Sequence, residues 1–344
     1  MSNPNLRTQA TRSRGTLAGV AALLIAFTLI GVTSAVEWIG KPFAGFLVLG
    51  NGVVASAGLP GWPATRDGEI FQRTLVSIEG RSIDGPEELR GWLATRPEGS
   101  TLHYRLAGGE GEIERDIAIR RFEGTDAVLL FGTYLLNGIL LGALALFLIA
   151  RRELDHGTRS AAPFLACGAL WGLSGMDLYG AHVLFRAHAL CEALLFATAL
   201  QMALEFPTRL VGAAATRKAV RFGYAVSLAL ALYYQAVLFD PSGYVRAHLV
   251  ATSLGGGALV LVVVGLGVRY ARAKRVAPHT ALGVLAAGAA IALLLPVALT
   301  IPEAATGGRA PQNLVGWTVF VFPLAVGYAI RRRPSLSEPR ASCT

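Results

Sequence analysis

The chain has 344 residues, of which 53% are hydrophobic and only 15% charged, with a mean hydropathy of +0.51. Soluble domains carry about a quarter charged residues, and here the apolar residues fall in long runs, which excludes an ordinary cytosolic enzyme. Three cysteines (Cys167, Cys191 and Cys343) exclude a disulfide-stapled scaffold. The net charge of +9 is unevenly spread: residues 38–126 carry −3 and the remainder +12. That excess sits in short clusters between apolar runs, so it reads as membrane topology and excludes a nucleic-acid partner.

A helix needs about 20 apolar residues to cross the hydrocarbon of a bilayer. Eight runs qualify: Leu17–Val36, Ala127–Ala150, Ala161–Tyr179, Ala187–Phe206, Ala219–Phe239, Leu249–Val268, Thr280–Ile301 and Leu314–Ile330. The first could be a cleaved signal peptide with Thr33-Ser34-Ala35 as the small-residue site, but its length favours a retained anchor.

Residues 38–126 follow it and are the one segment able to fold in water. Gly45–Leu49 and Val53–Ser56 are short apolar runs broken by Gly50-Asn51-Gly52. Leu75–Ile78 predicts a strand ended by the turn Glu79-Gly80. Asp84-Gly85-Pro86-Glu87-Glu88 predicts a helix start, with Asp84 as cap and Pro86 in the first turn. Leu89, Trp92 and Leu93 then share one face. Leu102, Tyr104 and Leu106, then Ile117 and Ile119, alternate with polar neighbours as strands do. The order is β-β-β-α-β-β, a small α+β domain expected to fold by itself.

Basic residues in short loops set direction. With the N-terminus inside, the inner segments hold 18 Lys and Arg, while the three short outer loops hold one each: Arg186, Arg246 and Arg309. Five segments result: a cytoplasmic N-terminus over 1–14, an anchor over 15–37, an extracytoplasmic domain over 38–126, a seven-helix membrane part over 127–330 and a cytoplasmic tail over 331–344. The fold class is a membrane α-helical bundle of about eight transmembrane helices with a small extracytoplasmic domain inserted after the first, in a multi-pass plasma (inner) membrane.

Several stretches of that domain resemble a bacterial PDZ domain. They are Gly45-Phe46-Leu47-Val48, Ala57-Gly58-Leu59, Leu75-Val76-Ser77-Ile78-Glu79-Gly80, Glu87-Glu88-Leu89 and Gly99-Ser100-Thr101-Leu102. The chain departs from that pattern where Gln72-Arg73 replaces Gly-Asp and Glu79 replaces Asn. Leu204-Glu205-Phe206-Pro207 and Phe320 to Arg331 extend the likeness. The arrangement is similar to the membrane region of bacterial sensor histidine kinases of the competence quorum-sensor type. The resemblance implies a two-component signalling role, a peptide or protein terminus at Gly45, Phe46, Leu47 and Val48, and no cofactor. Only eleven residues follow Arg333, too few for the kinase part, so the expectation is a sensor signalling through a separate kinase or other output protein.

The membrane part holds a cluster of ionisable residues: Asp177, His182, Arg186, His188 and Glu192. Such groups at membrane depth are costly and are paired or functional. His188 and Glu192 are spaced i, i+4 and share a helix face. One reading is a ligand, proton or metal site, which would also serve an intramembrane protease or lipid-modifying enzyme. The favoured one is a structural pair, Arg186 with Asp177 or Glu192, or Glu192 with His188. Gly172-Leu173-Ser174-Gly175 matches the Gly-x-Ser-Gly of rhomboid proteases, yet small residues in membrane helices are packing devices, and packing is the reading here. No zinc-protease motif occurs, no catalytic or metal residue is assigned, and an internal repeat that would argue for a transporter is not seen. Gly255-Gly256-Gly257 suggests close helix packing, and Pro296 and Pro323 suggest kinks. A reporter fused at Gly108 is expected to be active on the extracytoplasmic side and one at the C-terminus on the cytoplasmic side; a cytoplasmic signal from Gly108 would invert the topology.

Overall fold

A computed structural model of the chain describes residues 4–63, 65, 68–109, 111–151, 154–274, 281–305 and 313–332. Helix α1, Pro4–Val36, leads into the polar insert. There, strand β1 (Pro42–Phe43) pairs antiparallel with β6 (Arg120–Arg121) and closes the base of the insert. Between them lie β2 (Thr74–Ile78), β3 (Arg81–Ser82), α2 (Pro86–Ala94), β4 (Thr101–Gly108) and β5 (Gly111–Ala118). The four strands form an antiparallel sheet in the order β3-β2-β4-β5.

The two apolar runs expected as strands over 45–56 are reduced to single bridges, Val48 to Val54 and Val53 to Thr74. A tight reversal at Gly50-Asn51-Gly52 leaves no room for more: Gly52 lies at φ 81 and Asn51 Oδ1 accepts from Val53 N–H. The bridges still add residues 47–49 to the sheet as an outer strand. The β2–β3 reversal has Glu79 and Gly80 at φ 51 and 75, the left-handed pair that suits a tight hairpin.

Helix α2 begins one residue later than expected. Gly85, not Asp84, is its cap, and the Glu88 carboxylate accepts from Asp84 N–H. Leu89 and Leu93 are buried on the sheet, but Trp92 is only partly covered and lies between the Arg81 and Arg96 guanidinium groups. In a nine-residue helix the stripe facing the sheet is one residue wide per turn, and Trp92 falls beside it.

The rest is helical: α3 (Gly124–Ala150), α4 (Ala162–Gly175), α5 (Phe185–Glu205), α6 (Ala213–Val237), α7 (Pro241–Lys274), α8 (Ala281–Ala305) and α9 (Val321–Arg331), the last preceded by a 3₁₀ segment, Asn313–Thr318. Among the described residues, five stretches are long and apolar enough to cross a membrane: Arg14–Val36, Gly124–Ala150, Phe185–Glu205, Pro241–Ala273 and Ala281–Ala298. The protein is therefore membrane-embedded, with five such helices where eight runs were expected. The other three runs differ for separate reasons. α4 has 14 residues before it breaks into turns, and α9 has 11. α6 has 25 residues but carries Arg217, Lys218 and Arg221 in its first turns.

Neighbouring helices pack in chain order from α3 to α9, α9 returns to touch α3, and α1 lies against α3 and α4. Close approach comes at Gly138 and Gly142 of α3, where an added Cβ would stand 2.6 Å from Leu173 and 3.1 Å from Leu24. Gly255 and Gly257 face open space instead, and α8 runs through Pro296 unbroken.

The insert has two apolar sides. Phe46, Val48, Ile78, Leu89, Leu93, Tyr104 and Leu106 form its own core. Phe43, Leu47, Leu49, Val53, Trp62 and Phe122 belong instead to the core shared with the helices. Cut out as residues 40–122, the insert would expose that second face. We expect the fragment to self-associate in detergent-free buffer, read by sedimentation; a stable monomer would show that the helices are not needed to cover it.

Candidate functional site

The residues of interest gather in two places, a junction between the insert and the helices and a polar cluster between helices. At the junction the outer strand of the insert matters first. Leu49 N–H donates to Val53 O and Ala55 N–H to Leu47 O. Alternation then turns the N–H and C=O groups of Phe46 and Val48 to the opposite edge, where no strand pairs with them among the described residues. Gly45 lies at φ 74 just before this edge, and an added Cβ would press on Pro63 at 3.2 Å. Gly45, Phe46, Leu47 and Val48 therefore line one edge strand, with Phe46 and Val48 only 2% and 4% exposed in the insert's own core.

The α4–α5 connection meets this strand and α2 together. Arg90 of α2 donates to Gly180 O at 3.1 Å. Gly50 lies against His182 and Phe185, and Asn51 Nδ2 donates to Leu238 O at the end of α6. His182 has φ 59, and its buried ring lies by the Leu178 backbone. Burial holds its pKa below the usual range, and the Arg90 guanidinium pushes the same way.

Of the five ionisable residues singled out by sequence, the structure does not make one site. Asp177 is fully buried and its Oδ2 accepts from Leu184 N–H at 2.7 Å, which caps the entry to α5. Arg186 pairs with neither acid: it bonds Gln235 and stacks over Phe239. His188 shares a face with Glu192 but its Nδ1 lies 3.0 Å from Ser174 Oγ, with the ring stacked on Trp171. Glu192 turns the other way. Its carboxylate is 2.8 Å from His248 Nδ1, accepts from Tyr234 OH at 2.8 Å and from Thr252 Oγ1 at 3.3 Å.

Sequence reasoning set His248 at the edge of its span, because it began this helix at Leu249, and did not join it to Glu192. The helix starts eight residues earlier, at Pro241, with Asp240 accepting from the Ser242 and Gly243 N–H groups. Asp followed by Pro is the ordinary signal for such a start, and it stood in the sequence. With it, His248 and Thr252 fall one turn apart on the face toward α5.

Ser174 also donates to Leu170 O and Trp171 O and is fully buried, so its hydroxyl has no surface open to a substrate. Asn137 ties α3 to the 3₁₀ segment through Gly316 O. Cys167 and Cys191 are buried and unbridged, and Cys343 lies outside the described residues. His103 is exposed, with Asp116 raising its pKa through a hydrogen bond. Among the described residues no group of three or more His, Cys, Asp or Glu is arranged to hold a metal ion. Comparison with protein-family models, with curated proteins and with solved structures finds no match to this chain.

The Glu192 cluster joins α5, α6 and α7, and its parts are interdependent. Glu192→Gln keeps the shape and a donor-acceptor group, so the bonds to Tyr234 and Thr252 can re-form while the partner of His248 weakens. We expect a loss of about 1–2 kcal/mol, the size of one interhelical hydrogen bond in a membrane, measured by reversible unfolding in bicelles.

Proposed function

We propose that the chain is an integral membrane sensor. Its external PDZ-like domain takes an extended peptide or protein terminus along the Phe46/Val48 edge, and the bundle passes the event to a separate partner such as a kinase. One observation carries this reading. The insert is fastened to the outer ends of the helices by two directed bonds, Asn51 to Leu238 O and Arg90 to Gly180 O. A change at its edge strand therefore has a short mechanical route into α5 and α6.

Details of the insert support the PDZ-like part. Gln72 stands where the PDZ pattern has Gly, and it lies at φ 58, in the left-handed region that glycine adopts freely. Its side chain bonds Ser56, and Arg73 beside it bonds Glu69 O and Gly111 O. Side-chain bonds hold this stretch of backbone. An unpaired strand edge beside a helix is the element that accepts an added peptide strand.

The proposed topology has α4, α6 and α9 crossing with the five longer helices. Both termini then face the cytoplasm of a bacterial inner membrane, and the insert faces outside. A second reading, an intramembrane hydrolase, draws on the Ser174–His188 contact; the burial of Ser174 weighs against it.

The test uses the full chain in lipid nanodiscs and a panel of random ten-residue peptides with free carboxyl ends. We expect retention of a subset and its loss in Val48→Pro. Proline removes the edge-facing N–H without breaking a ladder bond. Equal retention by Val48→Pro would place the peptide elsewhere.

A further inference from the structure

We propose that the chain carries its own plug for the peptide edge: the connection Gly180–Phe185 between α4 and α5 closes one end of the groove between α2 and the outer strand, and an incoming peptide must displace it. The proposal rests on the peptide-binding reading above and adds its regulation.

Helix α2 and the end of the outer strand both hold this connection. On the α2 side, Arg90 donates to Gly180 O. On the strand side, Gly50 follows the edge residues directly and lies against His182 and Phe185; a Cβ there would stand 3.1 Å and 3.2 Å from their rings. From below, Ser34 of α1 accepts from Ala181 N–H at 3.3 Å and touches Gly180. The connection is thus seated between α2, the end of the outer strand and α1.

The seat is held at a cost in unsatisfied groups. His182 adopts a left-handed backbone, which a side chain other than glycine disfavours. Arg90 Nε and Asp177 Oδ1 are buried without a hydrogen-bond partner among the described residues. An added strand offers N–H and C=O groups at this end of the groove, and its acceptors suit Arg90. Peptide and connection therefore compete for one place.

Displacement has a defined consequence in the bundle. Leu184 N–H is held by Asp177 Oδ2, and Leu184 O accepts from His188 N–H in the first turn of α5. A shift of the connection reaches His188 and, one turn further, Glu192.

The test locks the plug. Gly50→Cys with His182→Cys places the two Cβ atoms about 3.3 Å apart, close to the span a disulfide bridges. The opened counterpart is Arg90→Ala with His182→Gly, which removes one bond and accepts the left-handed backbone. Both are made in the full chain in nanodiscs and probed with the same peptide panel. We expect the oxidised lock to bind at least tenfold more weakly than its reduced form, with recovery on reduction, and the opened chain to bind at least fivefold more tightly than wild type. Equal binding by oxidised and reduced forms would overturn the plug and leave peptide binding standing. An opened chain that retains no peptide would overturn the peptide-binding reading and the plug with it.

Discussion

The structure depends on a seam of aromatic rings. Phe43, Trp62 and Phe122 meet edge to face at 4.9–5.9 Å, and Phe122 continues onto Phe131 of α3, which reaches Tyr179. Trp62 also donates to Asp126, which closes the capping box at the start of α3. Without the seam the insert would be held only by its two chain crossings, the Asn51 and Arg90 bonds and the apolar contacts of Leu47, Leu49 and Val53. With it, the β1–β6 ladder, the entry to α3 and the helix ends beside the insert form one packed piece. Such ring pairs contribute about 0.5–1.5 kcal/mol each beyond the apolar area they bury.

A second constraint acts inside the bundle. Hydrocarbon supplies no partner for a polar group, so each one must find its partner on a neighbouring helix. Asn137 reaches Gly316 O, Ser227 accepts from Ala197 N–H, Ser174 meets His188, and Glu192 meets Tyr234, His248 and Thr252. Each contact fixes the sliding register of two helices, which apolar packing alone leaves loose. The polar residues within the helices are thus explained by packing before any chemistry is invoked.

This explains what the sequence made legible. The apolar runs and the polar insert were plain because each depends only on local composition. The turn at Glu79-Gly80 and the helix over 86–94 were plain for the same reason. What failed depended on three-dimensional partners. Arg186 was matched with acids because they are near in sequence, yet it faces Gln235 across the bundle. Glu192 pairs 56 positions downstream, with His248, and no local pattern encodes that distance. The insert was read as self-contained because alternation reports that one face is apolar, not that a strand such as Leu47 to Leu49 is apolar on both. Only the covering helices give the second face its meaning.

Relative magnitudes then decide where such a molecule can bend. The seam combines several ring contacts with full burial of Phe43, Trp62 and Phe122, and burying each large apolar side chain contributes about 1.5–3 kcal/mol. The α4–α5 connection is held at its outer end by the Arg90–Gly180 O and Ser34–Ala181 N–H bonds, each contributing about 0.5–1.5 kcal/mol. Against them stands the left-handed backbone of His182, which costs about 1–2 kcal/mol. Leu184 and Phe185 are buried where the connection enters α5, so the close balance holds for residues 180–183 alone, while the seam is buried throughout. Of the two contacts between insert and helices, the weaker hold is therefore on residues 180–183, and the seat at the aromatic seam is the firmer.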